Sequence, residues 1–277
     1  MGIVEGVMSQ TLNAVLVDTV EVSPGLFIMR VVPDGWELGD FIPGQFAVLG
    51  LPASARRCAI SDTEEETLDA DRLIKRAYSI ASSSVYKEFL EFYVALVPSG
   101  SLTPRLFALE PGDRLWLGKK VSGMFTLEQA PEDKHLVLIA TGTGLAPYMS
   151  MMRSQLTCGG ARRFSVLHGA RHSWDLGYRS ELMTLNRMCS NFTYVPSISR
   201  PDEEPAAWGG LTGHIQQIWK QAPLEELFGH HPGPDETDIF VCGNPDMIES
   251  MLEILKEEGF EEHSKSKPGQ IHVEKYW

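Results

Sequence analysis

"HLVLIATGTGLAPYMSMMRSQL", residues 135–156, decides how this chain is read. Its first six residues form a short apolar run that predicts a buried strand, and "APYMSMMRSQL" predicts a helix. Gly142 and Gly144 lie at the junction, where a missing side chain lets backbone come close to something else. Pro147 falls near the first turn of the helix, where its absent N–H has no intrahelical partner to lose. The unpaired N–H groups and positive dipole end of such a helix suit a pyrophosphate. An ordinary strand-to-helix turn uses the same residues, so position carries the weight: this is the first such turn of an alternating segment.

Downstream, "RFSVLHGA", "NFTYVPSIS" and "TDIFVCG" read as further buried strands. Helical stretches separate them: "YRSELMTLNRM", "GHIQQIWKQ" and "PDMIESMLEILKEEG". Strands alternating with helices predict a doubly wound parallel sheet. Upstream, "NAVLVDTVEV", "LFIMRVV", "QFAVLGL", "KRAYSIAS", "FLEFYVALV" and "DRLWLGKKV" are short, β-branched and aromatic, and parted by turn clusters such as "VPDG" and "EPGD". Six such segments without a long helix predict an antiparallel barrel or sandwich. The texture changes between Gln129 and Lys134, so two domains are expected, 1–130 and 131–277.

Composition limits the function classes. A chain of 277 residues with 43% hydrophobic and 22% charged residues has the make-up of a globular protein large enough for two cores. No apolar run reaches the ~20 residues of a membrane span, and the start lacks the features of a signal peptide. A cytoplasmic enzyme without membrane insertion is expected. The net charge of −13 argues against nucleic acid as the main partner. Cys58, Cys158, Cys189 and Cys242 show no CxxC spacing, so neither a metal site nor an iron–sulfur cluster is expected. Residues 53–75, "ASARRCAISDTEEETLDADRLIK", mix arginines and acids without a period and read as a solvated surface insertion.

The strand ends choose the nucleotide. An NAD-type site places an acid about 20 residues after the glycine turn, to bond the ribose. Here the strand ends in "LHGARHSWD", with Ala170, Arg171 and His172, and the next ends in "SISRPDE", with Ser199 and Arg200. Two guanidinium groups at adjacent strand ends suit a 2′-phosphate, at about 1.5–3 kcal/mol for each charged hydrogen bond. "VCGNP" closes the last strand with Cys242, Gly243, Asn244 and Pro245. Cys242 would face the nicotinamide cleft, though taken by itself it reads better as a buried structural cysteine. In "RAYS", strand alternation puts Arg76 and Tyr78 on one face and Ala77 and Ser79 on the other.

"RAYSIAS", "LEFYVALVPSGSLTPRL", "ATGTGLAPY", "VCGNPDM" and "VEKYW" occur in the order seen in bacterial ferredoxin/flavodoxin–NADP reductases, which the chain resembles over nearly its whole length. The resemblance implies an N-terminal six-stranded antiparallel β-barrel holding FAD and a C-terminal α/β domain holding NADP(H). Electrons would pass from NADP(H) through flavin N5 to ferredoxin or flavodoxin. By position, Arg76 and its neighbour Ala77 would lie at the FAD pyrophosphate. Tyr78 would stack on the isoalloxazine and Ser79 would bond near N5, making Ser79, Tyr78 and Cys242 the catalytic candidates. Phe92, Tyr93, Val94 and Ala95 would flank the flavin, and Ser101, Leu102 and Thr103 would hold its phosphates. Thr143 would reach FAD from the second domain, and the terminal Tyr276 and Trp277 would cover it. Gly142, Gly144, Ala170, Arg171, Ser199, Arg200, Gly243, Asn244 and Pro245 would line the NADP site.

His214 stands in "LTGHI", where some relatives carry an arginine; a neutral imidazole would weaken the preference for NADPH. Arg105, Arg114, Lys119 and Lys120 are candidates for a basic patch facing an acidic carrier. Two other readings stay open: a free-flavin, ferric or oxygenase-system reductase on the same scaffold, and a non-catalytic NADP(H) sensor.

Overall fold

The computed structural model describes residues 12–64 and 69–275. The chain divides into two compact units, Met1–Gly123 and Met124–Trp277. The expected border lay a few residues later. Phe125 packs on Tyr148 and Phe240, at 6.0 and 5.3 Å between ring centres, which ties the segment after Gly123 to the second unit.

The first unit runs β1 (Ala14–Ser23), β2 (Leu26–Pro33), β3 (Phe46–Pro52), β4 (Leu73–Ser79), β5 (Leu90–Ala95), the one-turn helix α1 (Thr103–Leu106) and β6 (Arg114–Leu117). Its strands lie in the order β4-β3-β6-β1-β2-β5, and every neighbouring pair is antiparallel. A bridge between Ile80 and Phe92, with the Ala81 N–H donating to the Glu91 carbonyl at 2.8 Å, joins the two outer strands. That closure makes the sheet a barrel and removes its open edges. Leu16, Met29, Leu49, Phe92 and Leu115 fill the interior, all fully buried. Pairing shifts in β1 between Leu16 and Asp18, and again between Glu21 and Ser23, bend that strand as a closed sheet requires.

The second unit runs β7 (His135–Thr141), α2 (Ala146–Gln155), β8 (Phe164–Ala170), α3 (Arg179–Met188), β9 (Phe192–Ile198), β10 (Leu211–Thr212), α4 (Ile215–Lys220), α5 (Glu225–Phe228), β11 (Thr237–Cys242), α6 (Pro245–Glu257) and β12 (Ile271–Glu274). All six strands are parallel, in the order β10-β9-β8-β7-β11-β12. The doubly wound sheet expected from the alternation is therefore present, widened by the two short edge strands β10 and β12. Val137, Ile139, Ile239 and Val241 share a core with Ile248, Met251 and Leu255 of α6. Those helix residues recur at three- and four-residue intervals, so one stripe of α6 covers the sheet.

Strand order reverses between β7 and β11. In such sheets the reversal opens a crevice outside the strand C-termini, where ligands bind. Cys158 and Cys189, far apart in sequence, form a disulfide with a Cα–Cα distance of 4.6 Å. It joins the loops entering β8 and β9, at the end of the sheet away from that crevice.

Candidate functional site

The turn after β7 and the turn after β11 meet at the strand-order reversal. Gly142 has φ +54°, and an added Cβ there would meet nothing within 4 Å, so this position faces open space. Gly144 differs: a Cβ would overlap the Cys242 carbonyl and approach the Gly243 Cα to 2.8 Å. Gly243 has φ +142°, and a Cβ there would come within 2.8 Å of the Thr141 backbone. The Asn244 N–H donates to the Thr141 hydroxyl at 2.8 Å, fastening the two turns together. Of the glycines read from sequence as room for a phosphate, only Gly142 offers it. Gly144 and Gly243 are small because the two turns press on each other.

Asn244 also has a local task. Its side-chain oxygen accepts from the Asp246 and Met247 N–H groups at 2.9 and 3.3 Å, capping α6, whose first residue is Pro245. Cys242 ends β11 fully buried, and Thr143 is half-buried in the turn after β7.

A second group lies at the ends of β8, β9 and β10. The Ser199 N–H donates to the Ala170 carbonyl at 3.0 Å, and the Arg200 N–H to the Arg171 carbonyl at 2.9 Å. The Gly213 N–H donates to the Ile198 carbonyl at 2.8 Å. Sheet pairing thus continues past the strands and sets Ala170–Arg171, Ser199–Arg200 and Gly213–His214 side by side. Arg171, Arg200 and His214 are exposed, and Arg171 has no ion pair among the described residues. Arg200 has one, to Glu203 at 3.4 Å.

Sequence reasoning missed the acids here. His172 sits between Asp175, at 3.1 Å from Nδ1, and Glu203, at 2.7 Å from Nε2, with Trp174 stacked on its ring. The hydrogen bond to Glu203, with a smaller one to Asp175, raises the His172 pKa above the ordinary imidazole value.

In the barrel, β4 puts an exposed Arg76 two residues before the half-buried Tyr78. Arg76 donates to the Lys75 carbonyl at 2.8 Å and has no carboxylate partner among the described residues. Burial pushes the Tyr78 phenol pKa well up, so the ring stays neutral. Ala77 is exposed and Ser79 is buried. A cation without a counter-ion beside an aromatic ring is a donor set that fits a phosphate joined to a flat heterocycle. On β5, Phe92, Tyr93 and Val94 are buried and Ala95 is exposed.

The turn carrying Ser101, Leu102 and Thr103 is closed by its own hydrogen bonds. The Thr103 hydroxyl accepts from the Val97 N–H at 3.0 Å and donates to the Val97 carbonyl at 3.2 Å, so it shapes the turn. Arg105 is 2% exposed and cannot belong to a basic surface patch. Its guanidinium donates to Glu64 through both terminal nitrogens and to the Ser101 carbonyl at 2.6 Å. Arg57 reaches the same turn, donating to the Gly100 carbonyl at 3.0 Å and the Pro98 carbonyl at 3.1 Å. The segment read as a solvated insertion is therefore tied to this turn by Arg57 and Glu64. Arg114 pairs with Asp34, leaving Lys119 and Lys120 exposed. Tyr276 and Trp277 lie outside the described residues.

No group of His, Cys, Asp and Glu among the described residues suits a metal ion, and none of their helices is long and apolar enough to cross a membrane.

The chain is similar to known proteins in sequence and in fold. Residues 138–253 match the family model described as Oxidoreductase NAD-binding domain. The flavodoxin/ferredoxin–NADP reductase of Escherichia coli K12 is 31% identical over 238 residues, covering 86% of this chain and 88% of that relative. That of Buchnera aphidicola (subsp. Baizongia pistaciae) is 32% identical over 207 residues, 74% of this chain and 82% of that relative. A ferredoxin NADP+ reductase from Neisseria gonorrhoeae, solved with bound FAD and NADP, superposes with a TM-score of 0.75 at 24% identity, covering 95% and 97% of the two chains. A cytochrome P450 reductase from Amycolatopsis gives 0.72 at 24% identity, over 96% of this chain and 69% of that one. These two solved structures share the fold, and the sequence relatives settle the kinship: the chain belongs to the flavodoxin/ferredoxin–NADP reductase family.

Proposed function

We propose that this protein is an FAD-dependent reductase that moves electrons between NADP(H) and ferredoxin or flavodoxin. Family kinship supports the reaction. The observation that carries the choice of nucleotide is the row of Arg171, Arg200 and His214 at three neighbouring strand ends, a cationic edge suited to a 2′-phosphate. Gly142, with open space where a side chain would project, supplies the uncrowded backbone that suits a pyrophosphate.

In the barrel, Arg76 would hold the phosphate of FAD and the Tyr78 ring would lie along its isoalloxazine. Ser79 would present a hydroxyl to the ring edge. Ser101 and Leu102 would meet the phosphates through the turn that Arg57 and Arg105 brace. When bound, the flavin exchanges two electrons with the nicotinamide and passes them singly to the carrier. The protein residues bind and orient both partners; no acid–base pair or metal is required of them. Thr143 and Cys242 are proposed to adjoin the reacting rings. Lys119 and Lys120 are the exposed basic residues left to meet an acidic carrier.

The test is anaerobic addition of NADPH to the purified protein, followed by reduction of ferredoxin or flavodoxin coupled to cytochrome c. The expected protein is yellow, bleaches with NADPH and supports carrier reduction. A colourless protein that takes up no FAD would defeat the proposal. Ser79→Ala is expected to retain FAD and to slow bleaching in stopped flow; an unchanged rate would remove Ser79 from the reaction.

A further inference from the structure

An acid stands among the groups assigned to the 2′-phosphate. Glu203 lies in the single turn Pro201–Glu203 that follows β9. One of its oxygens is 3.4 Å from Arg200 Nη1, and the other is 2.7 Å from His172 Nε2. The carboxylate is 55% exposed, so burial does not hold it in place; its two donors do. His172 itself is fixed, 13% exposed, with Asp175 on its other nitrogen and Trp174 stacked at 4.4 Å. The turn has a separate anchor: Glu204 accepts from the Ser173 N–H at 2.7 Å and the Ser173 hydroxyl at 2.6 Å. Glu203 is thus delivered to Arg200 and His172 by a segment that does not depend on those contacts for its position.

We propose that Glu203 is a specificity-setting residue that competes with the nucleotide 2′-phosphate for Arg200 and His172. A carboxylate and a phosphate are both oxyanions and take the same charged N–H donors. NADPH must displace Glu203 from these donors and then tolerate its charge nearby. NADH, with a plain 2′-hydroxyl, leaves the carboxylate where it is. Glu203 therefore narrows the gap between the two nucleotides that the arginines create. This rests on the reading of Arg200 as a 2′-phosphate ligand.

The test uses the holoenzyme with ferricyanide as acceptor, comparing kcat/KM for NADPH and NADH in wild type, Glu203→Gln and Arg200→Ala. Because exposed ion pairs are individually weak, Glu203→Gln should raise the NADPH-to-NADH ratio about two- to fivefold. The gain should appear in KM for NADPH, with kcat and the NADH constants unchanged. Calorimetric titration without turnover gives a second readout: adenosine 2′-phosphate should bind more tightly to Glu203→Gln, and adenosine 5′-phosphate should not. Arg200→Ala should lower the ratio. If Arg200→Ala lowers it and Glu203→Gln leaves both the ratio and adenosine 2′-phosphate binding unchanged, the competition is rejected and the phosphate site stands. If Arg200→Ala leaves the ratio unchanged, the reading of Arg200 as a 2′-phosphate ligand falls and the competition with it.

Discussion

Arg105 and Glu64 meet in a two-pronged ion pair, with nitrogen–oxygen distances of 3.0 and 2.7 Å, and the guanidinium is 2% exposed. A buried arginine left without its carboxylate keeps its desolvation penalty. Glu64→Gln should therefore destabilise the barrel by about 3 kcal/mol in denaturant unfolding. The pair also carries a pH signature. The hydrogen bond from Arg105 holds the Glu64 carboxyl below its ordinary value of 4.5. A carboxylate with a depressed folded pKa adds stability that is present above the unfolded value and lost as pH falls through the folded one. The difference between wild type and Glu64→Gln should stay constant above about pH 5.5 and shrink below 4.5. A difference that does not change with acid would contradict the ionic account.

Two glycine substitutions should separate binding from packing at the turn after β7. Gly142→Ala places a Cβ in open space and incurs only the left-handed backbone penalty, about 1–2 kcal/mol. Its main effect should be a raised KM for NADPH, because the methyl projects where the pyrophosphate is proposed to lie. Gly144→Ala drives a methyl into the Cys242 carbonyl and should lower the unfolding midpoint more than Gly142→Ala does. Thermal melts run beside NADPH titrations check both. Equal stability losses would mean that the two positions do the same work.

These glycines show where sequence stops being legible. The strand–glycine–helix pattern at 135–156 identified the doubly wound sheet, because hydrophobic period and turn chemistry are local properties. It could not say which glycine met a ligand and which met Gly243, since that depends on residues about a hundred positions apart. The same holds for Arg105, which reads as a surface cation until Glu64 and the Ser101 carbonyl are placed around it. Barrel closure through Ile80 and Phe92, and the pairing of Cys158 with Cys189, are also long-range facts. The side-by-side placement of Arg171 and Arg200 was legible because a strand end fixes where its next residue goes. Glu203 was not, because a turn had to fold it back onto His172.

His172 offers a direct check on that fold-back. Its pKa is raised, mainly by the hydrogen bond to Glu203 and further by Asp175. For such a histidine the stabilising charge is fully present below the unfolded value, about 6.5, and is lost as pH rises through the folded one. An NMR titration of the imidazole should find its midpoint above 6.5 in wild type and nearer 6.5 in Glu203→Gln. A midpoint indifferent to Glu203→Gln would mean that the carboxylate does not rest on the imidazole in solution.

The opposite sign applies to His168 on β8. Its ring is fully buried, with Nδ1 3.1 Å from the Tyr194 hydroxyl, and burial pushes its pKa down to about 3. The folded protein then carries a neutral ring between about pH 6.5 and about pH 3, where the unfolded chain binds a proton. Below about pH 6.5 each further unit of acid favours the unfolded state, by up to about 1.4 kcal/mol per unit from this one group. His168 therefore destabilises the second unit at mildly acidic pH, well before the Glu64 pair is affected. His168→Gln, which keeps a polar partner for Tyr194, should be less stable than wild type at pH 7.5, where the native packing is intact. The gap should narrow by pH 5, because glutamine binds no proton in either state. Denaturant unfolding at the two pH values decides it: a gap of constant size would mean that the folded ring takes up its proton in step with the unfolded chain and is not sealed from water.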